Sequence, residues 1–281
     1  MTAFQLQMDL DNMSKSQQSI ANYVVGALHH IPYCTEEDIA QAVGVSTATV
    51  SRFWRTIGFA NLKAFKKQLL QSEHATPAHK MKQILNKVEH EEADVASEML
   101  EMAAANIEVT SKRVEREQFH NAVEAIHSAR KVYVFGTGAA ASLIELIRFR
   151  LNRVSVQIEG MAGSGSELLE SLAHTGPEDV MLMFGFVRRS PELTVLLEHA
   201  RTAGYTTVLI TDLLVSDMLE QSDIVLQVDR GELEGFHSMA APVALLDALS
   251  VAVTKRRGPQ ALEQLDRLHA LRKKYASQLP K

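Results

Sequence analysis

Residues Thr35–Phe59 read TEEDIAQAVGVSTATVSRFWRTIGF, and their spacing carries more information than any single side chain. Thr35 followed three residues later by Asp38 fits a capping box that opens a helix. Gly44 ends that helix, because a residue without Cβ can take the left-handed backbone of a tight turn. Ala40 is small where two helices would cross closely. A second helix starting near Ser46 turns Val45, Val50 and Phe53 inward. It leaves Thr47, Ala48, Thr49, Ser51, Arg52 and Arg55 on the exposed side and at the N-terminal end. A recognition helix needs that combination, with short polar groups near base edges and cations for phosphates. The expected DNA-binding residues are Ser46, Thr47, Thr49, Ser51, Arg52, Arg55 and Lys63. Trp54 is expected to pack in the core or just behind the contact face. The competing reading is a structural helical pair with a solvated basic face.

Charge next to this stretch favours DNA. The whole chain of 281 residues carries a formal net charge of -5, so its mean surface does not announce a nucleic-acid partner. Between Ile39 and Ser72, however, stand Arg52, Arg55, Lys63, Lys66 and Lys67 with no acidic residue. A local patch of one sign can steer a polyanion that the average charge would not.

Upstream, SKSQQSIANYVVGALHH (14–30) places Ile20, Val24 and Leu28 at helical spacing, and Pro32 interrupts the run. Downstream, NLKAFKKQL (61–69) supplies a further helix. Residues 77–129 are helical in character, lack Gly, and have Pro only at their start. They are read as a connector of two or more helices, serving as spacer, dimerisation element or packing against the second domain.

From Lys131 the pattern changes to short β-rich runs: KVYVFGTG, VSVQIEG, DVMLMFGF, TTVLITD and DIVLQVD. Near-continuous apolar strands alternating with helices indicate a mainly parallel sheet covered on both faces. FHSMAAPVALLDALSVAVTKRR (236–257) reads as a packed helix, and helix is expected in the basic tail beyond it. The expected fold is therefore two-domain. An all-α helix-turn-helix domain (1–76) and a helical connector (77–129) precede a five-stranded α/β domain (130–281).

The single cysteine, Cys34, rules out an internal disulfide and a cysteine-rich metal site. The opening MTAFQLQMDLDNMSKSQ lacks a basic region followed by an apolar one, and no apolar run reaches spanning length. A cytoplasmic protein with no membrane partner is expected.

SKSQQSIANYVV, the Thr35–Phe59 stretch and NLKAFKKQL together resemble the N-terminal domain of RpiR-type bacterial transcriptional regulators. VYVFGTG and the strand–helix units after it are similar to the sugar isomerase (SIS) domain that such regulators carry at the C-terminus. The resemblance covers nearly the whole chain. It implies operator DNA as partner, a small effector, self-association as dimer or tetramer, and no cofactor.

The effector motifs depart from the family pattern. In FGTGAAAS (135–142), Gly136 and Gly138 let the backbone approach a ligand, and amides at a helix N-terminus suit an anion. The resemblance implies a hydroxyl where Ala140 stands. It also implies an S-x-S-G-x-T cradle after the third strand, which falls on Gly185, Phe186, Val187, Arg188, Arg189 and Ser190. Only Ser190 keeps a hydroxyl. Arg188 and Arg189 stand at a strand end where ligands of parallel sheets bind, and arginine suits carboxylate or phosphate. Pairing with an internal acidic residue, with another subunit, or with water remains open for both. Ser190 also fits a helix cap before Pro191.

Glu234 and His237, in EGFHSMAAP (234–242), complete the candidate effector set, with capping or interface contact as the alternative for His237. Ser164, Ser166, Thr211 and Asp212 are weaker pocket-border candidates, with a flexible loop as the alternative for the two serines and ordinary capping for Thr211 and Asp212. GTGAAA with Glu159 after the next strand also admits a dinucleotide site or a purely structural turn. No spacing gathers Glu159, Glu234 and His237 around one substrate as acid and base, and the histidines His29, His30, His74 and His79 make no metal set.

The expectation is a non-enzymatic, ligand-responsive repressor. Its effector would be a small anionic metabolite such as a sugar acid or phosphorylated sugar. The alternatives are a sugar-phosphate isomerase with a DNA-binding domain and a constitutive architectural DNA-binding protein.

Overall fold

The computed structural model describes residues 13–26, 31, 34–73, 78, 81, 82, 84, 85, 92–187, 189–214, 216–231 and 236–279. Leu28, Pro32, Arg188 and Glu234 lie outside them. The chain opens with four helices: α1 (Lys15–Gly26), α2 (Glu36–Val43), α3 (Thr47–Thr56) and α4 (Leu62–Glu73). The capping box at Thr35 forms in both directions, and Gly44 ends α2 in the left-handed conformation at φ 74°. Ser46 caps α3 by accepting from the Thr49 amide at 3.2 Å.

The helices enclose their own core of Ile20, Ala21, Val24, Ile39, Val50, Phe53, Trp54, Ile57, Leu62, Phe65 and Leu69. Trp54 is fully buried and stacks with Phe65 at 4.8 Å and Phe53 at 5.2 Å. Aromatic pairs in this range add cohesion beyond their buried area. Trp54 is a core residue.

Further along the chain stand α5 (Glu92–Arg113) and α6 (Arg116–Ser128). Of the readings left open for this connector, spacer, dimerisation element or packing against the second domain, both helices show the last. Ala122, Val123 and Ile126 of α6 sit in the sheet's core. Arg113 of α5 pairs with Asp229 at 2.9 Å, and Thr110 accepts from the Asp229 amide at 2.8 Å. Apolar spacing announces that a helix packs without saying against what.

The sheet contains β1 (Val132–Phe135), β2 (Ile158–Gly160), β3 (Val180–Gly185), β4 (Thr206–Thr211) and β5 (Ile224–Gln227). Its order is β2-β1-β3-β4-β5, and every pairing is parallel. Strand alternation divides the core in two. Val132, Val134, Val180, Leu182, Phe184, Val208 and Ile210 point to one face. There they meet α6, α7 (Ala141–Asn152) and α11 (Ala240–Arg257).

Tyr133, Phe135, Met181, Met183 and Leu209 point to the other face. They meet α8 (Gly165–Leu172), α9 (Pro191–Ala203) and the short α10 (Asp217–Gln221). Burying each such side chain contributes roughly 1.5–3 kcal/mol, and two covered faces explain strands without polar alternation. A last helix, α12 (Pro259–Lys274), carries the basic tail.

Candidate nucleic-acid interface and ligand site

The exposed end of α3 is organised by its cap. Ser46 and Thr49 share a hydroxyl–hydroxyl hydrogen bond of 2.8 Å, so Thr49 is half-buried and committed to the cap. Ser46, Thr47, Arg52 and Arg55 are exposed, as is Lys63 in the first turn of α4. The free amides of a helix N-terminus and these cations present one positive surface.

Ser51 corrects the sequence reading. It does not stand on the open face; it is half-buried and donates its hydroxyl to Glu36 of α2, tying the two helices together. A helical wheel could not show this, because the acceptor comes from the neighbouring helix.

In the C-terminal domain, the loops after β1, β3, β4 and β5 gather beyond the strand C-termini. The turn after β1 continues as a 3-10 turn, Gly138–Ala140, leading into α7. A Cβ at Gly136 would lie 3.0 Å from the Ala140 carbonyl oxygen and 3.1 Å from Phe184, so any larger residue would push its neighbours apart by a few tenths of an ångström. Gly138 takes φ 59°. Thr137, Gly138 and Ala139 remain exposed, and Ser142 spends its hydroxyl on the Ala139 carbonyl at 2.7 Å. Glu159, the acidic residue of the dinucleotide alternative, is paired with Lys131 at 2.5 Å. Those two side chains line an open groove of about 590 Å³ along the β2 edge with Arg148 and Asn152, away from the other strand ends.

Beyond β3 the backbone is forced into an unusual shape. Val187 has φ 67°, a conformation costly for a β-branched residue. Its amide donates to Asp212 Oδ1 at 2.8 Å. Asp212 Oδ2 meets Arg230 Nη1 at 3.1 Å, with side-chain exposures of 6% and 7%. Arg230 also donates from Nε to the Ser238 carbonyl at 3.3 Å, and its guanidinium lies 4.3 Å over the Phe186 ring. Burial pushes the Arg230 pKa down, and Asp212 opposes that shift. One buried ion pair thus ties together the segments after β3, β4 and β5.

Arg189 is also committed. Its Nε donates to Thr194 Oγ1 at 2.8 Å, its Nη2 to Gln221 Oε1 at 3.1 Å, and its Nη1 pairs with Asp217. Of the readings left open for it, the geometry supplies an internal acidic partner. Ser190 caps α9 by accepting from the Leu193 amide at 3.2 Å, with Pro191 in the first turn. His237 is half-buried in the segment that Ser238 holds against Arg230. Gly136, Gly138, Arg189, Ser190 and His237 therefore all stand around the strand ends.

Sequence reasoning missed Arg230. It follows β5 as Arg188 and Arg189 follow β3, so the same strand-end argument applied to QVDRG (227–231) would have found it. Its partner Asp212 was read as a cap or a pocket border.

A helix-turn-helix head in one chain with an α/β sheet whose strand ends carry glycine turns defines a two-domain transcription factor. Residues 2–76 match the helix-turn-helix domain of the rpiR family, and residues 125–252 match the SIS domain. The chain is an RpiR-type transcriptional regulator with a C-terminal SIS domain.

It is 27% identical over 245 residues to an uncharacterized HTH-type transcriptional regulator of Haemophilus influenzae, covering 85% of this chain and 84% of that protein. It is 26% identical over 269 residues to the HTH-type transcriptional regulator HexR of Pseudomonas aeruginosa, covering 94% and 93%. The fold is shared with the Vibrio vulnificus NanR protein complexed with ManNAc-6P, at TM-score 0.59 and 18% identity over 94% of this chain and 95% of that one. It is also shared with the sugar isomerase domain of an RpiR transcription factor from Sphaerobacter thermophilus, at TM-score 0.58 and 24% identity over 62% and 98%.

Proposed function

We propose that this regulator is a cytoplasmic repressor that binds double-stranded operator DNA and releases or tightens it in response to a small anionic metabolite. The observation that carries the DNA half is the exposed, capped end of α3 with Arg52 and Arg55 uncovered beside it. Ser46 and Thr47 approach base edges, Arg52 reads a base or holds phosphate, and Arg55 and Lys63 hold phosphate. Thr49 acts by fixing the cap, and Ser51 by fixing α2 against α3. Self-association as a dimer or tetramer places two such helices on related half-sites.

The effector site is assigned to the strand ends around Gly136, Gly138 and Ser190, where backbone amides at the start of α7 face an anion. His237 borders it. A sugar acid or phosphorylated sugar fits that chemistry. NanR in complex with ManNAc-6P is a fold relative whose ligand is a phosphorylated sugar. No catalytic acid–base pair is assigned, so the reading is a sensor without turnover.

Titration of phosphorylated sugars and sugar acids against a complex of the purified protein with its operator tests this. The expected result is one ligand that changes operator affinity by about 5- to 150-fold. No change with any of them overturns the sensing role. Isomerisation of a ligand by the purified protein overturns the non-enzymatic reading.

A further inference from the structure

Helix α10 is one turn long and faces two ways. On one side, Arg189 grips Asp217 and Gln221 at its two ends while holding Thr194 of α9 with Nε. On the other side, Glu220 Oε1 accepts a hydrogen bond of 2.8 Å from Asn22 Nδ2 of α1, 198 residues away in sequence. Just before α10, Leu214 packs against the apolar core of the four-helix head.

We propose that the β4–α10 edge is a docking surface for the chain's own DNA-binding head, and that Arg189 is its positioning residue. The occupant is seated on it, through one apolar contact and one carboxylate–amide hydrogen bond. The physical logic is short. A five-residue helix cannot hold itself in place by backbone bonds alone. Met218 buries its apolar side and Arg189 ties both of its ends to the loop after β3. Arg189 thereby sets where Glu220 and Leu214 stand.

The dock itself is small and its hydrogen bond is solvent-exposed. Small inter-domain contacts of this kind exchange between docked and free positions. The loop that carries Ser190 and the orientation of the head are then linked through a single guanidinium.

Cross-linking in the full chain tests this without DNA or effector, so its outcome is independent of the regulatory reading above. Asn22→Cys and Glu220→Cys are introduced in a Cys34→Ser background, and a short bis-maleimide is added. Intrachain closure is followed by mass spectrometry. The expected result is rapid intrachain cross-linking that slows about tenfold when Arg189→Ala is added, a loss on the scale of one charge-assisted contact. Arg189→Lys, which keeps the charge but not the fork, restores part of the rate.

Leu214→Asp, which removes the apolar contact and leaves the Arg189 network intact, slows closure as well. It keeps the test readable if Arg189→Ala fails to fold. Absence of intrachain cross-linking overturns the docking. A rate unaffected by Arg189→Ala in a folded protein overturns the positioning role. Cross-links only between chains overturn the choice of the chain's own head as occupant.

Discussion

Arg52 and Arg55 on the head and Arg189 and Arg230 at the strand ends are the same side chain put to opposite uses. The first two are exposed, and among the described residues neither has an ion-pair partner. The second two are held by carboxylates of their own chain, Asp217 and Asp212. A cation meant for an outside anion has to be kept uncommitted. A cation already surrounded by carboxylate, carbonyl and ring is building the fold. Arg189 and Arg230 shape the strand-end loops of their own chain.

The largest effect that would break this comparison is on stability. Arg230→Ala strands the Asp212 carboxylate in a buried site, and losing one partner of a buried pair costs about 3–5 kcal/mol. Urea denaturation should show that loss, and the double variant Arg230→Ala/Asp212→Ala should cost clearly less than the sum of the singles. A loss below about 1 kcal/mol would mean that the pair is as dispensable as a surface bridge.

The next effect lies on DNA. Arg52→Ala is expected to weaken operator binding by about 1–3 kcal/mol and relax sequence preference if it reads a base. Arg55→Ala should weaken all sequences alike and lower the salt slope by about 1. Both should leave the unfolding free energy within roughly 0.5 kcal/mol of wild type, since surface changes away from caps and cores do little. A large stability loss in either would place it with Arg189 and Arg230.

Ser46→Ala sharpens the same contrast at smaller scale, because it removes the cap that organises the uncovered face. About 1 kcal/mol of stability in the head should go with it, read as earlier thermal loss of its helical signal.

The smallest effect is a pH dependence at Asp38. The Thr35 amide and hydroxyl, at 2.6 and 2.7 Å, hold its carboxyl below the usual value. A depressed folded pKa gives stability that is present above the unfolded value near 4 and is lost as pH falls through the lower folded value. Asp38→Asn should flatten that limb of the acid denaturation curve, and an unchanged curve would remove Asp38 from it.

Much of this was legible in order. Thr35, Asp38, Gly44 and Ser46 act within four residues of themselves, so their caps and turn follow from spacing and were found where the sequence puts them. The inner strands β1, β3 and β4 were legible because burial on two faces leaves no polar alternation, whereas the edge strands β2 and β5 are only partly buried. Ser51 was misread because its acceptor, Glu36, belongs to another helix. Arg189 stayed ambiguous because its partners Asp217 and Gln221 lie about 30 residues on, beyond a strand. The role of helix α6 stayed open because its apolar stripe does not say which domain it faces.

By itself the sequence determined the local geometry and the class of each domain, since caps, turns and strand burial depend on neighbours along the chain and on whether water is excluded. Tertiary structure alone decided which charges are spent and which are free. An ion pair is a meeting of groups distant in sequence, and its strength depends on a burial that only the folded packing of Asp212, Arg230, Asp217 and Arg189 creates.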